Sequence, residues 1–173
     1  NMYNGSQQPT NNIDQDLGHW DVTGITANFG DWLESNVEFS TSNYDSLLDV
    51  TNGWGSQAAS VQSGITVNFG TSKYTPGITI EGSTNGVGTT TTIYDSSYNF
   101  TNEGSAGNIT VGDILYNKDT NQYSKVLSFG THTITTDQAI WGSSQTNYRV
   151  EGSNAARGRI ALISAGWTIT DGG

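Results

Sequence analysis

Gly112-Asp113-Ile114-Leu115-Tyr116-Asn117, then Lys118-Asp119-Thr120-Asn121, then Gln122-Tyr123-Ser124-Lys125-Val126-Leu127-Ser128-Phe129 reads as a strand, a tight turn and a second strand. Working outward, residues 89–94, 131–135 and 147–151 carry the same short strand character. The glycine- and serine-rich stretches 83–88 and 104–107 read as loops, because apolar strands follow them at once. Residues 78–153 therefore predict a small all-β module, a sandwich or barrel of roughly five to seven strands.

Flanking this module, the pattern changes. A helix is predicted to start near Thr41-Ser42, with Asp45 as the capping-box partner of Ser42 and Tyr44, Leu47 and Leu48 as its buried stripe. Asn52-Gly53 would end it. A second helix is predicted over 154–165 behind Ser153, with Ile160, Leu162 and Ile163 as its apolar face. Gly166 stands where a left-handed residue is wanted, and 167–170 alternates as a short strand. Residues 21–26 and 64–69 also alternate as strands. They belong to an internal echo, in which Gly24-Ile25-Thr26-Ala27-Asn28-Phe29-Gly30 recurs as Gly64-Ile65-Thr66-Val67-Asn68-Phe69-Gly70. Such an echo predicts stacked repeats, since one strand-and-turn unit cannot bury its own apolar face. Trp20, Val22 and Ile25 would form one rung, and Ile65, Val67 and Phe69 another, with Trp167 in the same core and Leu47 and Leu48 closing the end.

Composition agrees with a strand-rich chain. Of 173 residues, 24 are Thr, 19 Ser, 17 Asn and 22 Gly, nearly half the total. That excludes a helical bundle, which needs Ala, Leu, Glu and Lys. Five Trp, eight Tyr and five Phe are too much apolar material for a disordered chain. The size suits one domain or two small ones. Only 13% of residues are charged, and the net charge is −10. With six cations and no basic stripe, phosphate-contacting nucleic-acid binding is excluded as a reading. No apolar run approaches the roughly 20 residues of a spanning helix, so membrane insertion is not expected either. The absence of Cys removes thiolate metal sites and cysteine nucleophiles. The opening Asn1-Met2-Tyr3 reads as if cut from something longer, so localisation has to be argued from other features.

Several stretches resemble the BspA-like leucine-rich-repeat surface proteins. Asn1-Met2-Tyr3-Asn4-Gly5-Ser6 with 14–26, above all Trp20-Asp21-Val22, is similar to their repeat core. Residues 42–48, Trp54, 62–67 and 72–74 resemble the C-terminal cap of such arrays. Residues 155–163 and Gly166-Trp167-Thr168-Ile169-Thr170-Asp171-Gly172-Gly173 resemble its last helix and strand. The resemblance covers about 1–77 and 154–173. It departs from the family in having one full repeat core, in Thr23 and Gly24 replacing the usual Ser and Asn, and in residues 78–153 interrupting the cap. The cadence of 112–136 is similar to small β modules met in phage structural proteins. The fold class expected is mainly β (α+β): a short leucine-rich-like solenoid end with two helices, 1–77 plus 154–173, interrupted by a small all-β sandwich or barrel, 78–153. The resemblance shows no cap at the N-terminal end, so that face would stack on preceding rungs or dock on another subunit.

Catalytic signals are few. His19 and His132 read as solvated surface residues, the first because its position is variable and exposed in the family it resembles. No nucleophile elbow, phosphate loop, dinucleotide fingerprint or zincin motif occurs in the sequence. Paired carboxylates, Asp14 with Asp16 and Asp45 with Asp49, are the residues a glycosidase could use, although turn formation and capping explain them more simply. No cofactor is expected. Calcium is the metal that the available oxygen ligands would suit, with Asp14 and Asp16 as weak candidates. Trp54, Trp141 and Tyr148 are candidate interface anchors or sugar-stacking platforms, with the anchor role favoured and Trp141, in the loop 139–144, expected to be the most exposed. The sequons at Asn4, Asn99 and Asn108 are of the frequency that chance supplies in such a chain.

Together these readings predict a non-enzymatic structural and interaction protein on an outer surface, extracellular, on a virion or a bacterial cell. A phage virion component (fibre, decoration or spike) is favoured, with a bacterial adhesin or a glycan-binding or glycan-cleaving module as alternatives. Its expected partners are copies of itself or other structural subunits, and a surface glycan under the last alternative.

Overall fold

The structure, a computed structural model, describes residues 14–28, 38–85, 88–101, 109–142 and 146–173. The echo's Phe29-Gly30, the Asn1–Ser6 motif, the loop 104–107 and the sequons at Asn4 and Asn108 lie outside them. The fold is mainly β with two helices. In chain order the elements are α1 (Thr41–Leu48), a 3-10 turn (Trp54–Gln57), β1 (Thr66–Asn68), β2 (Ile78–Ser83), β3 (Thr92–Tyr94), β4 (Ile114–Asn117), β5 (Gln122–Phe129), β6 (Thr133–Thr136), β7 (Asn147–Glu151), α2 (Asn154–Ser164) and β8 (Thr168–Thr170). No helix among the described residues is long and apolar enough to cross a membrane.

Six strands form one antiparallel sheet in the order β2-β7-β4-β5-β6-β3, curled into a half-barrel. Its centre is the hairpin read first from the sequence. Tyr116 pairs with Tyr123 and Asn117 with Gln122 across the turn, where Asn121 takes φ +56°. Asn at such a position tolerates the left-handed backbone a tight hairpin requires. Leu115, Val126, Ile134, Tyr148 and Val150 fill the hollow of the half-barrel together with Ile80, Ile93, Phe100 and Trp141. Alternation sends Ile114, Tyr116, Tyr123 and Lys125 to the other face. There Ile114 and Tyr123 join a second core, built with α1, α2 and the segment 39–74. Both faces of the hairpin are thus covered, which explains why Ile114 and Leu115, adjacent in sequence, are both buried.

The segment 78–151 enters and leaves at one point. β2 and β7 pair antiparallel, and beside them Gly152 N–H donates to Gly77 O at 3.0 Å and Ser153 N–H to Pro76 O at 3.3 Å. α2 follows directly. Ser153 caps it by accepting from Ala156 N at 3.0 Å, and Gly166 follows with φ +97°, as its sequence signals predict. The chain then returns as β8, parallel to β1.

Four expectations are corrected. Residues 21–26 form no strand: Asp21 Oδ1 accepts from Thr23 N at 3.0 Å and Thr23 Oγ1 at 2.7 Å, closing a turn that competes with a ladder. Asn28 Oδ1 accepts from Thr66 N at 2.9 Å, so this segment reaches β1 through a side chain. Trp20 is 43% exposed, because the turn at Leu17–Trp20 places Leu17 in the core instead. Val22, Ile65, Val67, Phe69 and Trp167 are buried in that core and Ile25 packs against it. Asp45 does not cap α1; its carboxylate accepts from Thr75 N at 2.7 Å and Thr75 Oγ1 at 2.6 Å. Asn52-Gly53 does not end α1, which stops at Leu48 with Asp49 as its C-cap. β2 is the strand that sequence reading missed, although Ile78-Thr79-Ile80 alternates.

Candidate functional site

The three aromatic candidates are all internal. Trp141 is 4% exposed, and its Nε1–H donates to Thr136 Oγ1 at 3.2 Å. Its expected exposure is overturned, because the segment after β6 folds back so that Trp141 N–H reaches Thr90 O and the ring drops into the half-barrel. Tyr148 faces the same hollow, with its hydroxyl donating to Asp95 Oδ2 at 2.8 Å, and burial holds that phenol well above its usual range. Trp54 lies in the other core, where Nε1–H donates to Leu17 O at 2.8 Å and the ring meets Phe69 and Trp167. These rings are packing anchors inside the chain, and none offers a face to a ligand.

The paired acids are engaged as well. Asp14 Oδ1 accepts from Ser40 N, Ser40 Oγ and Asn43 Nδ2, each at 2.8 Å, so it secures the start of α1 from outside the helix. Asp16 Oδ1 accepts from Gly18 N at 2.9 Å and Ser46 Oγ at 2.8 Å. Among the described residues no group of three His, Asp or Glu side chains stands together to hold a metal ion. Asp49 Oδ1 accepts from Thr51 N and Asn52 N just beyond α1.

These bonds have a pH consequence. The Ser40 amide above all holds the Asp14 carboxyl below its ordinary value of 3.8. The Gly18 amide does the same for Asp16, and the Asn147 side chain for Asp119. A carboxyl depressed by folding contributes stability that is complete above the unfolded value and is lost as pH falls through the folded one. On account of these groups the melting temperature should therefore hold level between about pH 7 and 5 and fall below about pH 4. Combined Asp14→Asn, Asp16→Asn and Asp119→Asn substitution should flatten that fall in a melting series. An identical acid limb in the variant would refute the assignment.

Sequence reading missed two features. The first is a polar seam on the outer face of the sheet, against the core built with α1 and α2. Arg159 makes a forked pair with Asp171, Nε to Oδ2 at 2.7 Å and Nη2 to Oδ1 at 2.9 Å, and Tyr44 OH donates to the same Oδ2 at 2.7 Å. The Arg159 guanidinium also lies 5.1 Å from the Tyr123 ring centre and 5.7 Å from that of Tyr74. Tyr74 OH in turn donates to Glu151 Oε2 at 2.8 Å, and Arg149 Nε to Glu151 Oε1 at 2.6 Å. Arg149 lies over Tyr116 at 4.3 Å. Burial, and then the neighbouring carboxylates, push the Tyr44 and Tyr74 phenols far up, so both remain hydrogen-bond donors and neither serves as a base. Every buried side-chain N and O among the described residues has a partner. The seam reads as a structural lock.

The second feature is an open groove of about 460 Å³ where α2, the segment after α1 and the outer face of the sheet meet. Val50, Ala58, Ala59, Ile160, Ala161 and Ala165 wall it, with Lys125 and Arg157 as its charged residues and no acid. Arg157 is paired to Asp113 through Nε and Nη2 and donates to Thr110 Oγ1 at 2.7 Å. The Asp137 carboxylate accepts from the Lys125 backbone N–H at 2.8 Å, but among the described residues no carboxylate pairs with the Lys125 ammonium. The groove was not legible in the sequence, because its walls come from residues more than a hundred positions apart.

Comparison with family models, with curated proteins and with solved structures returned no match to this chain.

Proposed function

We propose that this chain is a non-enzymatic structural and interaction protein displayed on an outer surface, most simply as a fibre, decoration or spike component of a phage virion. The core built with α1 and α2 would then be the closing end of a BspA-like leucine-rich array, on the sequence resemblance and on the packing of Val22, Ile65, Val67, Phe69 and Trp167 into one cluster. The observation that carries the reading is the division of labour among side chains. The acids and aromatics that could have served chemistry are tied into caps, turns and cores. Apolar surface stays open at the groove and at Val111 and Leu127, 66% and 47% exposed. That apolar surface is what the chain leaves available for association. Burial of Trp141 and Tyr148 takes away the two aromatic platforms on which the glycan-binding alternative drew.

Native mass under gentle conditions, by light scattering or electron microscopy, tests the proposal. A large symmetric particle, or co-purification with virions, is the expected result. A clean monomer at every concentration would overturn it and direct the work to glycan arrays.

A further inference from the structure

We infer that the groove beside α2 is a docking site for an extended peptide segment of another protein subunit, one that places an acidic residue next to bulky apolar ones. This deepens the interaction role proposed above and rests on it. Gly112 and Lys125 line the groove, and exposed Val111 and Leu127 stand beside them along the chain. Gly112 N–H donates to Val126 O at 2.9 Å and Val126 N–H to Asp113 O at 2.7 Å, which brings the turn bearing Val111 beside the strand bearing Leu127. Alternation puts Leu127 on the outer face with Lys125, and the register of β5 against β6 shifts between Val126 and Ser128.

Charge selects the occupant. The chain carries −10 overall, so a basic partner finds its complement over most of the surface. The groove runs against that sign at one point: Arg157 is neutralised by Asp113, while the Lys125 ammonium has no carboxylate partner among the described residues. An acidic side chain on the occupant would pair with Lys125, while its apolar neighbours cover Ala58, Ala161 and then Leu127. The open shape and the continuation onto Val111 and Leu127 fit a chain segment better than a compact small molecule. A segment laid over a hydrophobic groove and fixed by one ion pair is a recurring mode of peptide recognition.

The test is selection of a displayed library of short random peptides on the folded protein, followed by titration of the synthetic winners. Winners that combine Asp or Glu with bulky apolar residues, and bind about tenfold or more weakly to Lys125→Glu and Ala161→Trp, are expected. Lys73→Glu, a cation outside the groove, should leave binding unchanged. Leu127→Ser, at an exposed position, keeps the test readable if Ala161→Trp fails to fold by circular dichroism. Basic or uncharged winners, or equal affinity in Lys125→Glu, would overturn the inference. Binding of laurate with no peptide selected would also overturn it and assign the groove to a small amphiphile. Equal native mass for the wild-type particle and Lys125→Glu would overturn the groove while leaving the assembly reading intact. A monomeric protein that still selects acidic peptides would support the groove and overturn assembly.

Discussion

Gly158→Ala should lower the melting temperature by about 6–12 °C, the equivalent of about 3 kcal/mol in a chain of this size. Helix propensity alone points the other way, since alanine is favoured over glycine by about 1 kcal/mol inside a helix. Packing decides the sign. A Cβ on Gly158 would stand 1.6 Å from the carbonyl oxygen of Leu48, at the end of α1. A Cβ on Gly55, in the 3-10 turn, would stand 2.4 Å from the Gly158 Cα. Three elements therefore touch backbone to backbone at these glycines. Neither obstacle is the far end of a flexible side chain, so relief requires α2 to move off α1, opening the core around Leu47, Leu48 and Leu162. Thermal unfolding of the purified variant reads the effect. A variant that melts at or above the wild-type temperature would show that the helices are not in contact as described.

Asp171→Ala should cost about 3–5 kcal/mol in urea unfolding. The change removes both acceptors of the Arg159 fork and the acceptor of Tyr44 OH in one step. Arg159 and Asp171 side chains are both largely buried, at 10% and 2% exposure, so water cannot readily replace what is lost. The penalty is chiefly that of an unpaired buried guanidinium rather than the net worth of the pair. Replacing both partners, as in Asp171→Leu with Arg159→Met, should therefore recover much of the loss. A single-variant loss under about 1 kcal/mol, or a double variant no better than the single, would refute the seam as a lock.

How much of this was readable in advance can be judged residue by residue. The hairpin from Ile114 to Phe129 and the limits of α2 come from local signals: strand runs around a turn with Asn121, and Ser153 and Gly166 at the two ends. Such signals act within a few residues and need no partner. The strand expected over 21–26 failed for an equally local reason, the Asp21 side chain closing a turn on Thr23, which alternation alone does not reveal. Trp141 failed differently. Its loop looked polar and open, and only the return of the backbone to Thr90 shows that the ring is buried.

By itself, then, the amino-acid order determined a mainly-β chain with two helices, the central hairpin and the apolar positions from Ile65 to Phe69 that became core. These rest on periodicity, turn chemistry and capping, all short-range. Tertiary structure alone decided which faces those elements share. It paired β2 with β7, joined Tyr74 to Glu151 and Arg159 to Asp171, and set Ala58 opposite Ala161 across the groove. Those contacts depend on close packing and on burying charge only beside its partner, and both are properties of the folded whole that no local stretch encodes.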